Sequence, residues 1–106
     1  GLWSANLIKR MKPSAYFVNA SRGAIVDEVA LIEALRSSAI AGAALDVYAK
    51  QPLAPDSPLM TLENVLLTPH LAGIGAESMR AMSLGTADEA LRVLRGEPPL
   101  NWVNRW

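Results

Sequence analysis

Three side chains suited to binding and protonating a small acid recur at equal intervals, each just after a stretch that predicts a β-strand. Arg22, Asp46 and His70 are separated by 24 residues and again by 24 residues. A guanidinium can bind a carboxylate through two parallel hydrogen bonds, and an imidazole takes up and releases a proton near neutral pH. Open parallel α/β sheets bind ligands beyond the carboxyl ends of their strands. The spacing therefore predicts that a cation, a carboxylate and an imidazole meet at one edge of a sheet.

Each of these residues also has a structural interpretation. Arg22 could pair with a surface carboxylate, Asp46 could bind the backbone of a turn, and His70 could be a structural histidine. Their joint position at strand ends favours a functional site. Periodicity alone leaves both interpretations open.

The strands that would position these side chains are predicted from short apolar runs rich in β-forming residues. Such runs occupy residues 15–19, 40–47 and 65–68. A helical pattern separates the first two runs. This strand–helix–strand order predicts a parallel sheet with right-handed crossovers.

Helices are predicted before, between and after the strands. Ser4 is a candidate N-cap for a short helix over residues 5–11, and Asp27 is a candidate N-cap for the second helix. Residues 76–94 carry an apolar stripe at helical spacing, and Gly96 follows as a helix terminator. A parallel sheet needs helices on both of its faces, and the predicted helices are too few for that. We therefore expect more of the same domain upstream of this chain.

Two segments depart from this alternation. The connection over residues 47–64 contains three prolines and has no clear period, and a loop of this length usually serves a site or an interface. Residues 73–78 resemble a dinucleotide-binding fingerprint, but Ser78 replaces the third glycine and no acidic residue ends a following strand. The segment is therefore predicted to be a strand-to-helix turn, and the phosphate-binding loop is expected to lie outside this chain.

Composition argues against several classes of function. Hydrophobic residues make up 51% of the chain, which is enough for a packed core. Ten lysines and arginines balance ten aspartates and glutamates, so no basic surface for nucleic acid or for an anionic membrane is expected. There is no cysteine, which removes disulfides and thiolate metal sites and fits a cytoplasmic location. We expect no metal site, and we find no signal-peptide pattern or membrane-spanning apolar run.

Three motifs, in order, resemble the signatures of the D-isomer-specific 2-hydroxyacid dehydrogenases. They occupy residues 11–27, residues 41–48 followed by 51–53, and residues 64–73. The tail, residues 95–99 with 103–104, also fits the family. The resemblance covers nearly the whole chain. It implies an α/β fold, namely part of a Rossmann-type, doubly wound parallel sheet. Residues 1–74 would be the C-terminal part of the NAD(P)-binding domain, and residues 75–106 would be a C-terminal helix and tail returning toward a substrate domain.

The resemblance also implies a role for each candidate residue. Arg22 is similar to the arginine that holds the carboxylate and carbonyl of the substrate. His70 is similar to the general acid–base that exchanges a proton with the carbonyl oxygen during hydride transfer. Asp46 is similar to the carboxylate that holds the nicotinamide end of the cofactor, NAD or NADP. The cofactor-binding residues implied in this way are Ala20, Ser21, Arg22, Asp46, His70 and Gly73.

One position departs from the family pattern. The family pairs its histidine with a glutamate that lies five residues after the aspartate and just before a proline, and this chain has Gln51 there. A carboxylate would stabilise the imidazolium, whereas a neutral amide only orients the ring. Formate dehydrogenases of the same superfamily look similar at this position and transfer hydride without protonating the substrate. Gln51 is retained as a candidate catalytic residue; a formate-type reaction and a tolerated variant both stay open.

The expected function of the intact parent protein is the NAD(P)-dependent interconversion of a D-2-hydroxy acid and a 2-oxo acid. A cytoplasmic homodimer is expected, with a small acid as its substrate and with no nucleic-acid or membrane partner. The alternatives are formate-type hydride transfer and a non-catalytic module, either a truncated chain or a cofactor sensor. Without the phosphate-binding loop, the 106-residue chain alone is expected to bind NAD weakly and to be inactive.

Overall fold

The computed structural model describes residues 2–103 and divides into two compact units, Gly1–Ala72 and Gly73–Trp106. The first unit contains a parallel sheet of three strands that lie side by side in chain order, and the second contains one long helix. The elements are α1 (Ala5–Ile8), β1 (Tyr16–Asn19), α2 (Glu28–Arg36), β2 (Gly42–Leu45), β3 (Val65–Leu67) and α3 (Ala76–Leu94), with short 3-10 helices at Gly23–Ile25 and Pro58–Thr61. The assignment of these units to a cofactor domain and a substrate-domain connection stays a prediction.

The predicted parallel sheet is confirmed. Val18 of β1 pairs with Ala44 of β2, and Ala44 pairs in turn with Leu66 of β3. The crossover from β1 to β2 contains α2, as the sequence predicts. The crossover from β2 to β3 is the proline-containing segment, which holds only a 3-10 helix over Pro58–Thr61. All three strands end at the same edge of the sheet because they are parallel.

The core lies on one face of this sheet. Ile8 of α1 together with Leu31 and Leu35 of α2 are buried in one cluster with the inward side chains of the strands. The opposite face carries Tyr16 and Val18, which are largely exposed. The small number of predicted helices implies that one face of the sheet is uncovered. The described part of the first unit has such an uncovered face.

The first helix is shorter than predicted, since it ends at Ile8 instead of Met11. The amides of Arg10 and Met11 bond to the carbonyl oxygens of Leu7 and Ile8, three residues back. Such bonds close a tighter turn in place of another α-helical turn. Ser4 occupies the N-cap position of this helix, but its side chain makes no capping bond within the described residues.

The other two predicted helices are confirmed. The Asp27 carboxylate accepts a hydrogen bond of 3.1 Å from the amide of Ala30, so Asp27 caps α2. In the second unit, Ser78 Oγ accepts a bond of 3.0 Å from the Gly75 amide at the start of α3. The residue that breaks the dinucleotide fingerprint therefore caps a helix, which agrees with the prediction of a strand-to-helix turn.

The long helix α3 has no buried residue within the second unit as described. Its predicted apolar stripe is present but largely exposed, and it includes Met79, Met82, Leu84, Leu91 and Leu94. The stripe agrees with the predicted helical period, and within this unit no other element covers it among the described residues. Within residues 2–103, no helix combines the length and apolar character needed to cross a membrane.

Gly23 lets two loops approach each other closely, and its replacement should destabilise the protein. A Cβ atom at Gly23 would lie 1.8 Å from the carbonyl oxygen of Tyr48. The carboxylate of Glu28, the first residue of α2, accepts a bond of 2.8 Å from the Ala49 amide and ties the segment after Tyr48 to the start of α2. We expect Gly23→Ala to lower the free energy of unfolding by about 1–3 kcal/mol or more, because the clash is with backbone.

Urea unfolding of the intact protein measures this effect, with Gly85→Ala as the matched control. A Cβ atom at Gly85 in α3 meets nothing within 4 Å. The control should stabilise the helix by about 0.5–1 kcal/mol, because alanine loses less backbone entropy than glycine. Equal urea midpoints for Gly23→Ala and the wild type would contradict the close packing of the two loops.

Candidate active site

The turn after β1 is organised by Asn19, the last residue of the strand. Asn19 is buried, its Oδ1 accepts a bond of 3.1 Å from the Ser21 amide, and its Nδ2 donates a bond of 3.1 Å to the Arg22 carbonyl. The Asn19 carbonyl also accepts a bond of 2.9 Å from the Asp46 amide. These hydrogen bonds therefore fix the turn that carries Arg22 at the edge of the sheet. Its exposed guanidinium donates to the Ser21 carbonyl over 2.7 Å.

Asp46, the first residue after β2, binds the segment that follows β3. Its side chain is only 6% exposed. Oδ1 accepts bonds from the Thr68 hydroxyl and, over 2.8 Å, from the Leu71 amide. Oδ2 accepts a bond of 2.9 Å from the Ala72 amide. Asp46 therefore binds the backbone of a segment more than twenty residues away, and not the local turn that its structural interpretation predicts.

These bonds also affect the charge of Asp46. The Thr68 hydroxyl, followed by the Ala72 and Leu71 amides, holds the pKa of Asp46 below its ordinary value of 3.8, against the opposing effect of burial. Donors that bind the ionised form favour it over the neutral acid. Asp46 is consequently a carboxylate at neutral pH.

This lowered pKa predicts a pH-dependent stability difference between the wild type and Asp46→Asn. The folded-state pKa lies below the ordinary value of 3.8, so the carboxylate contributes stability above that pH. The contribution is lost as the pH falls through the lower folded-state pKa. We expect Asp46→Asn to lower the free energy of unfolding at pH 7, and we expect the difference to shrink below pH 3.8.

Urea unfolding at a series of pH values tests this expectation. Asp56→Asn is the control, because Asp56 is an exposed carboxylate in the β2–β3 connection. The control should stay close to the wild type at every pH. A difference for Asp46→Asn that is constant from neutral to acid pH would show that ionisation of Asp46 is not involved.

His70 follows β3 and contacts Gln51. His70 Nδ1 lies 3.0 Å from Gln51 Oε1. An amide oxygen only accepts hydrogen bonds, so Nδ1 is the donor and Nε2 is left for another partner. His70 also has a φ of 60°, in the left-handed region. The pairing of position 51 with the histidine, which the resemblance implies, is therefore present, with an amide in place of a carboxylate.

Two cavities lie near these strand ends in the first unit. The larger, of about 590 Å³, is lined by Gln51 and His70 together with mainly apolar side chains such as Leu53 and Met60. The smaller, of about 150 Å³, is lined in part by Ala20 and Asp46. The structure thus groups Gln51 with His70 and Ala20 with Asp46.

The remaining candidates lie outside these two groups. Ser21 and Arg22 are exposed on the turn after β1. Gly73 begins the second unit, and its contribution to a cofactor pocket stays a prediction. The convergence of Arg22, Asp46 and His70 in a single cleft also stays a prediction.

Residues that organise this edge were not all found from the sequence. Asn19 had a local signal, because asparagine at a strand end often binds the following turn. Tyr48 and Thr68 had none. The Tyr48 hydroxyl lies 2.7 Å from the Thr68 carbonyl and 3.1 Å from the Leu45 carbonyl. Burial raises the pKa of Tyr48, and the nearby Asp46 and Glu28 raise it further, so the phenol is protonated at neutral pH and donates to these oxygens.

A parallel sheet with one α-helical crossover and polar groups at its carboxyl edge is the architecture of a Rossmann-type domain. The particular family follows from a family model, described as the D-isomer specific 2-hydroxyacid dehydrogenase, NAD binding domain, which matches residues 1–72. The chain belongs to this family. The resemblance seen in the three sequence motifs is confirmed.

Individual relatives agree with this assignment. The chain is 46% identical over 98 residues to a glyoxylate reductase of Korarchaeum cryptofilum, covering 92% of the chain and 30% of the relative. It is 42% identical over 104 residues to a D-3-phosphoglycerate dehydrogenase of Archaeoglobus fulgidus, covering 98% of the chain and 20% of the relative. The chain thus spans less than a third of the length of these relatives.

Solved structures show the same fold. A D-isomer specific 2-hydroxyacid dehydrogenase from Xanthobacter autotrophicus, in complex with NADPH and MES, is 44% identical with a TM-score of 0.86, covering 98% of this chain and 42% of that chain. An NADPH-dependent glyoxylate/hydroxypyruvate reductase from Sinorhizobium meliloti, in complex with NADP and malonate, is 34% identical with a TM-score of 0.83, covering 92% of this chain and 30% of that chain.

Proposed function

We propose that the intact protein containing this chain is an NAD- or NADP-dependent oxidoreductase that interconverts a small D-2-hydroxy acid and a 2-oxo acid. The observation that carries the proposal is the His70–Gln51 contact of 3.0 Å at the carboxyl edge of the sheet. With Nδ1 occupied by Gln51, the imidazole has Nε2 available for proton exchange with a substrate oxygen. The family assignment supplies the reaction class.

The residues at this edge fit a nicotinamide cofactor. Ala20 and Ala44 are small, and the cavity of about 150 Å³ that they help to line lies beside the Asp46 carboxylate. Asp46 Oδ2 accepts one bond, from the Ala72 amide, so it retains capacity for a second donor such as a carboxamide. A bound cofactor would supply or accept the hydride. Ala20, Ser21, Arg22 and Asp46 are the residues of the first unit that would hold its nicotinamide end.

The chain's own side chains divide the remaining work. Arg22 donates one N–H group to the Ser21 carbonyl, and its other donors form the planar fork that suits a carboxylate. Gln51 holds the imidazole ring of His70 by its Nδ1. His70 gives a proton to the carbonyl oxygen during reduction and removes it during oxidation.

Steady-state assays of the intact protein test this proposal. Reduced NAD or NADP should be consumed with glyoxylate, hydroxypyruvate or a related small 2-oxo acid, and the D-isomer of the corresponding chiral hydroxy acid should be oxidised in reverse. These acids are chosen because similar proteins carry the names glyoxylate reductase and glyoxylate/hydroxypyruvate reductase. Failure to turn over any 2-oxo acid with either cofactor would overturn the proposal.

A second candidate reaction is hydride transfer from formate on the same scaffold. The specific observation in its favour is that the partner of His70 is the neutral Gln51. Formate oxidation places no proton on the substrate, so it needs no anion to stabilise an imidazolium. Oxidation of formate with NAD by a protein that ignores 2-oxo acids would establish this reaction in place of the first.

The homodimer and the cytoplasmic location expected from the sequence are part of the same proposal. The exposed apolar side chains of α3 form a surface that a larger assembly would cover. Light scattering of the intact protein tests the oligomeric state. A mass equal to one chain at micromolar concentration would contradict the dimer.

A further inference from the structure

We propose that Thr68 and Tyr48 are positioning residues for His70, which fix the segment after β3 in the one conformation that presents the imidazole for proton transfer. This inference rests on the proposed function, because it takes His70 as the acid–base. Both residues line the cavity that Gln51 and His70 also line, but the role proposed for them is not contact with the reacting atoms. They act through the backbone that carries the histidine.

The backbone at His70 needs such support. Its φ of 60° lies in the left-handed region, which a residue with a Cβ atom adopts at a conformational cost. No glycine is present at this position to remove that cost. A strained residue persists where the surrounding structure holds it in place, and such residues concentrate at functional sites.

Thr68, two residues before His70, is held by three separate contacts. Its amide donates a bond of 3.0 Å to the Leu45 carbonyl, which extends the pairing of β2 with β3. Its hydroxyl donates to Asp46 Oδ1, and its carbonyl accepts a bond of 2.7 Å from the Tyr48 hydroxyl. The peptide that leads into His70 is therefore fixed from the side of β2.

The segment that leaves His70 is fixed from the same direction. The Leu71 and Ala72 amides bind the Asp46 carboxylate over 2.8 and 2.9 Å. Because the Thr68 hydroxyl also binds Asp46, one carboxylate connects the residues before and after the histidine. Removing the Thr68 hydroxyl releases the entrance of the turn and weakens the hold of Asp46 on the two amides at its exit.

Tyr48 is a firm anchor for this arrangement. It is 8% exposed and belongs to the buried core cluster of the first unit. Its carbonyl packs directly over Gly23, where a Cβ atom would not fit. The hydroxyl that binds the Thr68 carbonyl therefore extends from a side chain with little freedom to move.

The test compares Thr68→Val and Tyr48→Phe in the intact protein, since each change removes a hydroxyl and preserves most of the side-chain shape. Thr68→Val should lower kcat for 2-oxo acid reduction by about 10- to 100-fold, because a small displacement of the acid–base strongly slows the reaction. Tyr48→Phe should lower kcat in the same direction. KM values for the acid and the cofactor should stay near those of the wild type.

Three further readouts distinguish positioning from a loss of stability. The solvent deuterium isotope effect on kcat should increase in Thr68→Val, because proton transfer becomes more rate-limiting. Hydrogen exchange at the Leu71 and Ala72 amides should accelerate, because these amides belong to the turn that has been released. Thr68→Ser, which keeps the hydroxyl, should restore kcat.

Matched controls use the same chemical changes away from the turn. Tyr16→Phe alters a tyrosine that is 74% exposed on the open face of the sheet. Thr61→Val removes a hydroxyl that bonds locally to the Pro58 carbonyl. Both controls should leave kcat and the isotope effect unchanged.

The outcomes separate this inference from the proposed function. If Thr68→Val and Tyr48→Phe keep the wild-type kcat and isotope effect while a His70 variant is inactive, the positioning role is wrong and the proposed function stands. If a His70 variant reduces 2-oxo acids with the wild-type kcat, the acid–base role that the proposed function gives to His70 is wrong. If Thr68→Val does not fold, Tyr48→Phe alone tests the positioning role. A raised KM with an unchanged kcat in Tyr48→Phe would overturn that role.

Discussion

Replacing His70 by asparagine in the intact protein is expected to lower kcat for 2-oxo acid reduction by about 100- to 10,000-fold, the usual contribution of a general acid–base. Asparagine cannot donate a proton at neutral pH as an imidazolium does. It is chosen because it tolerates the left-handed backbone better than other non-glycine residues. The φ of 60° at His70 would make most other substitutions disturb the turn as well as the chemistry.

The measurement is kcat and KM at saturating cofactor over a range of pH. The residual activity of His70→Asn should lose the pH dependence that the imidazole imposes, while binding of the cofactor persists. Ser38→Asn is a matched control, because Ser38 also has a positive φ, of 55°, and follows α2. Wild-type kcat in His70→Asn would rule out the acid–base role of His70 and would mean that another group donates the proton.

Much of the fold was predictable because its signals are local. Asp27 caps α2 through the amide three residues ahead, and that pattern is visible in the sequence itself. Tyr16–Asn19 alternates between exposed and buried residues, and this alternation follows from the two faces of a strand. The alternating order of strands and helices then predicts a parallel sheet. Because the strands are parallel, Arg22, Asp46 and His70 follow them at the same edge.

The contacts that organise that edge were not predictable from local signals. Thr68 reaches Asp46 across 22 positions in sequence, and Tyr48 reaches the Thr68 carbonyl across 20. Both contacts depend on the register that pairs Leu45 with Leu67, and apolar runs do not specify a register by themselves. The left-handed conformation of His70 has the same origin, because long-range bonds hold it and no local turn residue predicts it.

The helix α3 illustrates a different limit. Its period predicts the helical range correctly, because the repeat of apolar side chains is a property of the helix alone. The same repeat predicts a face to be covered, and within the second unit that face is exposed. An amphipathic pattern therefore shows which face of a helix packs against something. It does not show which surface that face packs against.

Replacing Gln51 by glutamate is expected to move the alkaline limb of the kcat/KM–pH profile upward by about one pH unit in a 2-oxo acid reductase. Gln51 Oε1 lies 3.0 Å from His70 Nδ1, and glutamate has nearly the same shape, so the new anion should take the same position beside the ring. An adjacent anion favours the imidazolium, which is the form that donates the proton. Reductase activity at pH 8 and above should therefore increase.

The same substitution distinguishes the two candidate reactions. A formate-oxidising enzyme should lose activity in Gln51→Glu, because a second anion near the site disfavours an anionic substrate and no imidazolium is required. Ala54→Glu is the control, because it adds the same charge at an exposed position three residues along the chain. It should leave the profile near that of the wild type, since exposed charges at longer range are largely screened.

Profiles of kcat/KM against pH for the wild type, Gln51→Glu and Ala54→Glu show whether residue 51 acts on His70. An upward shift in Gln51→Glu alone means that the side chain at position 51 acts on the proton donor through the Nδ1 contact. An equal shift in Ala54→Glu would mean that the net charge of the surface, and not the contact with the ring, is responsible. An alkaline limb that does not move in Gln51→Glu would mean that residue 51 is not paired with His70 in solution, or that another group donates the proton.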